Sequence, residues 1–331
     1  MSNSKSHGGL KAFEPTEKLN IKGFIAKKWD DRIYPPFFDP KQIELLKNTW
    51  DTQENDIFIC THQKVGTHLT KKFVCEILRN AFDYPENNGI KSGDIGHETI
   101  AWPEVMVSQH GIEHFLNHLE ETKGLPRVWY THCSMHDLPF RSINSKTKFI
   151  HVFRDPKGAF VSQYHFYKSH PMLGVNEDLS YDQFLEYFIE GNLYFGDYHT
   201  HTLEWIDACG NKIDKKNLLI LRYEDLVERK MESVKAISDF ILEENLLQEN
   251  QYEKIIEVTD FNKMKKEITA NPQSFHFNPQ TFFRSGTCYD WMEKLTDTQI
   301  NKINDKTSKF WGVDNLSYPN LENVLTLNYH K

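Results

Sequence analysis

The chain has 331 residues, of which 39% are hydrophobic and 13% aromatic, so it can bury a sizeable core. Its formal net charge of −8 disfavours a general nucleic-acid-binding protein, although a local basic pocket is compatible with it. No apolar run is long enough to cross a membrane, and residues 1–9 lack the core of a signal peptide. The five cysteines are scattered without metal-type pairing, which is typical of reduced thiols in a cytoplasmic protein.

Predicted strands and helices alternate along the chain. Residues 1–20 are expected to be disordered, and residues 21–331, which lack a Pro/Gly/Ser-rich linker, are interpreted as one domain. The apolar patterns predict strands at 56–61, 127–131, 148–153 and 218–223. They predict helices at 40–49, 67–79, 112–122, 156–169, 181–189, 194–209, 229–242, 251–258 and 296–310.

This alternation predicts an α/β fold in which helices flank both faces of a central parallel β-sheet. Ligands of such folds bind beyond the carboxyl ends of the strands. Lys64, His132, Arg154 and Tyr223 each fall at or just after a predicted strand end. We therefore expect these four residues, which are distant in sequence, to converge on one edge of the sheet.

A first motif follows the strand at 56–61, where the chain reads Lys64-Val65-Gly66-Thr67-His68-Leu69 before a helix. Gly66 lets the backbone approach a ligand closely, and the N–H groups that follow can hold phosphate-like oxygens. The Walker A pattern is absent, because the lysine precedes the glycine. Alone, this loop is a weak signal.

A second motif joins the strand at 148–153 to the helix at 156–169. Arg154 follows the strand, Pro156 suits the first helical turn, and Ser162 lies two turns into the helix. Both polar side chains can face an anion at the helix start, where free N–H groups favour negative charge. Taken alone, the segment also fits an amphipathic helix with an incidental arginine. A third, turn-rich segment at 282–291 contains another arginine, Arg284.

These three segments, in this order, resemble the cytosolic sulfotransferases over about residues 35–311, and the middle segment is the most specific. The resemblance implies a P-loop-type three-layer sandwich and a metal-independent enzyme. Such an enzyme transfers a sulfuryl group from the co-substrate 3′-phosphoadenosine 5′-phosphosulfate (PAPS) and leaves 3′-phosphoadenosine 5′-phosphate (PAP). The nucleotide-binding residues that it implies are Lys64, Val65, Gly66, Thr67, His68, Leu69, Arg154, Ser162, Tyr223, Thr259, Phe261, Arg284, Ser285 and Gly286. Among them, Arg154, Ser162 and Arg284 are implied to contact the 3′-phosphate, and Tyr223, Thr259 and Phe261 the adenine.

The same resemblance implies two catalytic residues. His132, just after the strand at 127–131, aligns with the general base of the family. An imidazole near its ordinary pKa of about 6.5 can accept a hydroxyl proton at neutral pH. Lys64 is implied to stabilise the phosphate oxygen that leaves as the S–O bond breaks. Without the resemblance, His132 would be interpreted as a structural histidine and Lys64 as a solvated loop lysine.

Several positions depart from the family pattern. The family loop usually reads Lys-Ser-Gly-Thr-Thr-Trp, so Val65 replaces a hydroxyl and Leu69 replaces the tryptophan that stacks on adenine. Tyr130 occupies a position where the family often has lysine, and Ser285 replaces a basic residue. His68 could provide a compensating donor. We expect these changes to alter nucleotide affinity or turnover.

The acceptor pocket is expected to be lined by residues 94–107, by Phe166 and by residues 271–283, as in the family. The individual candidates are Trp102, Glu98, Glu104, Phe166 and Phe277. The mixture of acidic and aromatic side chains at residues 94–107 suits a polar or cationic natural product as acceptor. A solvated acidic loop is the simpler explanation for the carboxylates of this segment. The family's C-terminal dimer motif is not kept, so a monomer or weak homodimer is expected, with no nucleic-acid or membrane partner.

Two alternative functions stay open at this point. A nucleotide kinase would need a Walker-type loop, which the chain lacks. A non-enzymatic nucleotide- or metal-binding protein would be consistent with His110, His114 and His118, whose spacing predicts one helical face that could hold zinc. Such a row is more often a solvated face, so no metal is expected.

Overall fold

The computed structural model describes residues 24–29, 32–82, 101–170, 173, 179–242, 246–270 and 283–312. In these ranges the strands form two sheets. A short antiparallel hairpin pairs β1 (Lys27–Trp29) with β2 (Arg32–Tyr34). The central sheet is parallel and has the order β4-β3-β5-β6. Its strands are β3 (Asp56–Thr61), β4 (Arg127–Thr131), β5 (Lys148–Phe153) and β6 (Leu218–Arg222).

Helices connect and cover these strands. Three short 3-10 helices in the described ranges lie at Met135–Asp137, Lys215–Asn217 and Asp290–Glu293. The α-helices of the described residues are α1 (Pro40–Thr49), α2 (Thr67–Phe82), α3 (Pro103–His110), α4 (Ile112–Glu121), α5 (Pro156–Ser169), α6 (Tyr181–Glu190), α7 (Tyr198–Ala208), α8 (Tyr223–Glu228), α9 (Lys230–Leu242), α10 (Glu249–Val258), α11 (Phe261–Ala270) and α12 (Asp297–Trp311).

The central sheet is covered on both faces. Every residue of β3 is buried, and successive side chains of a strand point to opposite faces. Both faces are therefore packed, as expected for parallel strands. Cys60 of β3 pairs with Thr131 of β4 and with His151 of β5, so the carboxyl ends of the three strands lie side by side. This register brings the loops that follow them to one edge, which confirms the predicted fold class.

A buried ion pair fixes the opposite end of β3 and β4. Arg127 donates to both carboxylate oxygens of Asp56, at 2.6 and 2.8 Å, and the indole of Trp129 donates to Asp56 Oδ1 at 2.8 Å. Asp56 and Arg127 are both buried. Bidentate geometry and the third donor compensate for much of the cost of removing these charges from water.

Several predicted boundaries need correction. The strand predicted at 218–223 ends at Arg222, because Tyr223 begins α8. The helix predicted at 194–209 begins at Tyr198, since Phe195 and Gly196 have positive φ angles and Asp197 caps the helix. The sequence patterns also missed the β1–β2 hairpin and helices α3, α8 and α11.

The prediction that His110, His114 and His118 share one helical face is also wrong, although the ring centroids of His110 and His114 lie 4.9 Å apart. His110 ends α3, and Gly111, with φ of 86°, separates it from α4, which carries His114 and His118. The His118 ring packs against Trp129, with ring centroids 5.7 Å apart. The described part of the chain contains no cluster of three or more His, Cys, Asp or Glu side chains that could hold a metal ion.

Some expectations concern residues that the structure does not describe. The segment predicted to be disordered, residues 1–20, lies outside the described ranges.

Within the described ranges, no helix combines the length and apolar character needed to cross a membrane. Cys60, Cys75, Cys133, Cys209 and Cys288 are free cysteines.

Candidate active site

The loop between β3 and α2 forms one wall of a cavity of about 360 Å³ at the carboxyl edge of the sheet. Lys64 has a positive φ of 64°, which is uncommon for a residue with a Cβ, and Val65 is fully buried. From α5, the Gln163 amide donates to the Gln63 carbonyl at 3.2 Å. The loop is thus held by core packing and by α5, while Lys64 lines the cavity.

Arg154 follows β5 and lines the same cavity. Its backbone is held at both polar groups by the Tyr198 hydroxyl, which accepts from the Arg154 N–H at 2.9 Å and donates to its carbonyl at 2.5 Å. The guanidinium carbon lies 4.3 Å from the ring centroid of Tyr223. One of its nitrogens donates to the Thr287 carbonyl at 3.3 Å. Arg154 therefore joins the second motif to the third.

The third motif brings Arg284, Ser285 and Gly286 to the cavity. Arg284 forms an ion pair with Asp290, whose carboxylate is also 4.0 Å from Arg154. Two arginines from distant parts of the sequence thus share one carboxylate at the cavity wall. Such a pair can instead hold an anionic ligand, because guanidinium groups bind phosphate in the same bidentate manner as carboxylate.

Two glycines approach the aromatic residues of the cavity closely. Gly66 has φ of 117°, and a Cβ there would lie 2.8 Å from Tyr223. Gly286 has φ of 67°, and a Cβ there would lie 2.6 Å from the ring of Phe261. Both the backbone angle and the lack of space require glycine at these positions. The phosphate-type loops therefore pack directly on Tyr223 and Phe261, the predicted adenine contacts.

His132 is buried at the end of β4. Its Nδ1 lies 2.8 Å from the Thr61 carbonyl, and because a carbonyl only accepts, Nδ1 carries the proton. Nε2 is then the acceptor nitrogen. Burial lowers the pKa of His132 to about 3, and the charges of Lys71 and Lys64 act in the same direction. The expectation of an ordinary pKa was therefore wrong, and the imidazole is neutral at pH 7.

Lys64 is also electrostatically perturbed. Burial, followed by the charges of Arg154 and Arg284, lowers the pKa of its ammonium to about 7. Its Nζ lies 5.1 Å from the ring centroid of Phe166. Three cationic side chains therefore lie close enough to affect one another, an arrangement that costs free energy and that an anion between them would relieve.

Aromatic side chains surround the His132 end of the cavity. Trp102 is 5.0 Å from the His132 ring, between ring centroids, and Trp102 and Tyr130 are 5.2 Å apart. Phe166, a predicted acceptor contact, lines the same cavity near Lys64. Glu104, in contrast, is fully buried away from the cavity lining, and accepts hydrogen bonds from Thr131 and from the Cys133 thiol. Neither its predicted substrate contact nor a solvated loop position agrees with this burial.

Most of the predicted site residues line this one cavity. Val65 and Glu104 do not, and Glu98 and Phe277 lie outside the described residues. The predicted residues that line it are Lys64, Gly66, Thr67, His68, Leu69, Trp102, His132, Arg154, Ser162, Phe166, Tyr223, Thr259, Phe261, Arg284, Ser285 and Gly286. Phe283, the last residue of the predicted stretch 271–283, also lines it. Sequence reasoning missed other lining residues, among them Gln63, Phe37, His170, Lys230 and Met264.

Comparison with known proteins agrees with this geometry. The family model described as the sulfotransferase domain matches residues 54–311. The chain belongs to the sulfotransferase family. Among its relatives, sulfotransferase 1A1 of Rattus norvegicus is 29% identical over 294 residues, covering 83% of this chain and 94% of that protein. The 3-beta-hydroxysteroid sulfotransferase of Cavia porcellus is 25% identical over 281 residues, covering 83% of this chain and 91% of that protein.

A solved structure shows that the fold is shared as well. The crystal structure of mouse sulfotransferase SULT7A1 complexed with PAP matches with a TM-score of 0.65 and 22% sequence identity. The match covers 86% of this chain and 93% of that one. The predicted family, enzyme class and fold are thus confirmed, and family membership favours the sulfotransferase over the kinase alternative.

Proposed function

We propose that this sulfotransferase transfers a sulfuryl group from PAPS to a hydroxyl or amine group of a small-molecule acceptor. One observation carries the proposal: Lys64, Arg154 and Arg284 line the same cavity as the neutral, oriented imidazole of His132. Three cations suit a nucleotide with phosphate groups at both its 3′ and 5′ positions, and the imidazole suits removal of an acceptor proton.

The residues present fit such a nucleotide. Arg154, Arg284 and Ser162 form the predicted 3′-phosphate subsite, and Lys64 with the backbone around Gly66 and Thr67 forms the 5′ subsite. Tyr223 and Phe261 provide apolar faces for adenine. PAP is the product of the same donor, and mouse SULT7A1, which shares the fold, was crystallised as a complex with it.

The reaction uses two residues of this chain in named roles. His132 Nε2 accepts the proton of the acceptor hydroxyl as the acceptor oxygen forms its bond to sulfur. The bond between sulfur and the bridging phosphate oxygen breaks, and its electron pair stays on that oxygen. Lys64 stabilises the negative charge that develops there. The Thr61 carbonyl fixes the tautomer by accepting from Nδ1.

The lining of the cavity supports an acceptor with an apolar skeleton. Trp102 and Tyr130 lie beside His132, and Phe166 lines the same cavity. Glu104, one reason for expecting a polar or cationic acceptor, is not part of the lining. Planar phenols and sterols are therefore the first acceptors to test, with a cationic phenol of similar size as the comparison.

Calorimetric titration with PAP and with ADP, which carry the same number of phosphates, tests the nucleotide assignment. We expect wild-type protein to prefer PAP, and Arg154→Met to remove most of that preference. Arg229→Met is the control, because Arg229 lies between α8 and α9 and is not part of the cavity lining. Equal affinity of the wild type for both nucleotides would contradict the proposal.

Turnover tests the role of His132. His132→Ala should lower kcat by roughly 10²–10⁴-fold, the usual contribution of a general base, with little change in PAP affinity. His136→Ala, four residues further on and exposed, is the matched control and should leave kcat unchanged. Near-normal turnover of His132→Ala, at unchanged PAP affinity, would remove His132 from the mechanism.

A further inference from the structure

Two consecutive lysines of α2, Lys71 and Lys72, point in different directions. Successive residues of an α-helix are about 100° apart around its axis. Lys72 is buried, with 5% exposure; it points towards α11 and forms ion pairs with Glu76 at 3.5 Å and Glu267 at 3.4 Å. Lys71 faces inward and is 1% exposed. Its ammonium lies 4.1 Å from the centroid of the Tyr130 ring.

Burial of the Lys71 ammonium costs free energy, so an interaction that compensates for part of this cost is expected. A buried ammonium loses its hydration, and the face of an aromatic ring recovers part of that loss through its negative quadrupole. Tyr130 belongs to the cavity lining, whereas Lys71 does not, so the charge of Lys71 acts on the cavity through the aromatic ring. Tyr130 is also a neighbour of His132, with ring centroids 6.0 Å apart.

The electrostatics link the same three residues. The positive charge of Lys71 contributes to the lowered pKa of His132, together with those of His62 and Lys64. Burial, and then the Glu104 carboxylate, raises the pKa of Tyr130 well above its ordinary value. The Tyr130 hydroxyl therefore remains a hydrogen-bond donor throughout the pH range in which the enzyme can be assayed.

We propose that Lys71 and Tyr130 together form a second electropositive group of the transfer site: Tyr130 donates a hydrogen bond to a sulfuryl oxygen, and Lys71, positioned on its ring, strengthens that donor. Tyr130 is then a catalytic residue, and Lys71 is a positioning residue that acts through it. The inference rests on the proposed function. It also gives a reason for tyrosine at the position where the family often has lysine, because the positive charge comes from α2 instead of β4.

A double-mutant cycle tests this pair, using Lys71→Met, Tyr130→Phe and the double variant, with Lys72→Met as the matched control. Tyr130→Phe keeps the ring and removes only the donor, so it should lower kcat by roughly 10²-fold, as loss of a transition-state donor does. Lys71→Met should lower kcat by about 10-fold, in line with the strength of a buried cation–π contact. The double variant should be no slower than Tyr130→Phe, and Lys72→Met should match the wild type.

Rescue by a conservative variant adds a measurement that a purely structural role would not change. Lys71→Arg keeps the positive charge and should recover most of the kcat that Lys71→Met loses. In the Tyr130→Phe background the same Lys71→Arg change should leave kcat unaltered. PAP affinity should stay within about twofold in all variants.

Two results would overturn the inference: wild-type kcat in Tyr130→Phe, or losses that add fully in the double variant. The first applies even if Lys71→Met does not fold, since Tyr130→Phe leaves the buried contacts of the ring intact. Failure of the proposed function is recognised separately: either the wild-type protein does not prefer PAP over ADP, or His132→Ala has normal turnover. If both of those behave as proposed while Tyr130→Phe is unaffected, the Lys71–Tyr130 inference alone is wrong.

Discussion

Binding of PAP should be coupled to proton uptake by Lys64. Burial and the charges of Arg154 and Arg284 lower the pKa of Lys64 to about 7, so its amine is mainly neutral at pH 8. A phosphate-bearing ligand that neutralises the two arginines and contacts Lys64 favours the ammonium form. Its pKa then returns towards the ordinary value for lysine, and a proton is taken from the buffer.

The expected stoichiometry follows from these two pKa values. With a pKa near 7 before binding and near 10.5 after it, uptake is roughly 0.5 proton at pH 7 and 0.9 at pH 8. Phosphate monoesters have their second pKa at about 6 and are already ionised at pH 8. His132 and His165 have pKa values lowered to about 3 and about 4.

Isothermal titration of PAP in HEPES and in Tris, whose ionisation enthalpies differ, measures this uptake directly. The apparent enthalpy should depend on the buffer at pH 8 and less so at pH 6.5. Lys64→Arg keeps a permanent charge and Lys64→Met has none, so both should abolish the buffer dependence. An equal buffer dependence in the wild type and in both variants would refute the reasoning, because the proton would then enter elsewhere.

Three further predictions concern binding and stability. Gly66→Ala should weaken PAP binding by at least about 10-fold in calorimetry, since its Cβ would lie 2.8 Å from Tyr223 at a positive φ; unchanged affinity would contradict the close approach of the loop. Asp56→Ala should lower the free energy of unfolding in urea by about 3–5 kcal/mol, because Arg127 would remain buried without its partner. Stability should also fall as the pH is lowered below about 6.5, the pKa of an unfolded histidine, because several buried histidines have lowered pKa values and the unfolded chain therefore binds more protons. These histidines are His62, His132, His151, His199 and His201. Each of these histidines can lower the free energy of unfolding by up to about 1.4 kcal/mol per pH unit. A thermal midpoint that is constant from pH 7 to pH 5 would contradict this account.

The parallel sheet could be predicted from sequence because its strands are short, fully buried apolar runs with clear ends. Strands 56–61, 127–131 and 148–153 have the predicted bounds, and each is followed by a chemically distinctive loop. The pattern failed at Tyr223, which was included in the predicted strand but begins a helix. It also failed at residues 194–197. Side-chain periodicity predicted helix there, but the positive φ angles of Phe195 and Gly196 are not helical, so the helix begins only at Tyr198.

The site was predicted from two sources. Lys64, His132, Arg154 and Tyr223 were expected at one edge because the ends of parallel strands meet there, whereas the other loop residues, including Arg284, came from the resemblance to the cytosolic sulfotransferases. Lys71 and Glu104 could not be assigned in the same way, since a charged side chain on a helix is ordinarily a surface feature. Only tertiary packing places Lys71 on the Tyr130 ring and buries Glu104 against Thr131 and Cys133. The sequence does not distinguish Lys71 from its neighbour Lys72, although the two side chains have different partners. Lys72 is paired with Glu76 and Glu267.

The departures from the family loop are matched by neighbours in this fold. Val65 points into the core, so the lost hydroxyl would not have faced the nucleotide, and the backbone N–H groups of the loop are unaffected. Leu69 packs with Met264 and Phe283, whose ring lies near that of Phe261, so apolar surface replaces the missing tryptophan.

Ser285 removes one cation from the third motif, yet Lys230 at the start of α9 lines the same cavity. Its ammonium donates to the Thr259 carbonyl at 3.3 Å, which keeps a positive charge beside the predicted adenine contacts. We therefore propose that two positive charges outside the motifs, Lys230 of α9 and Lys71 of α2, act on the same cavity. Because these residues come from elements distant in sequence from the motifs, the motif pattern alone does not indicate them.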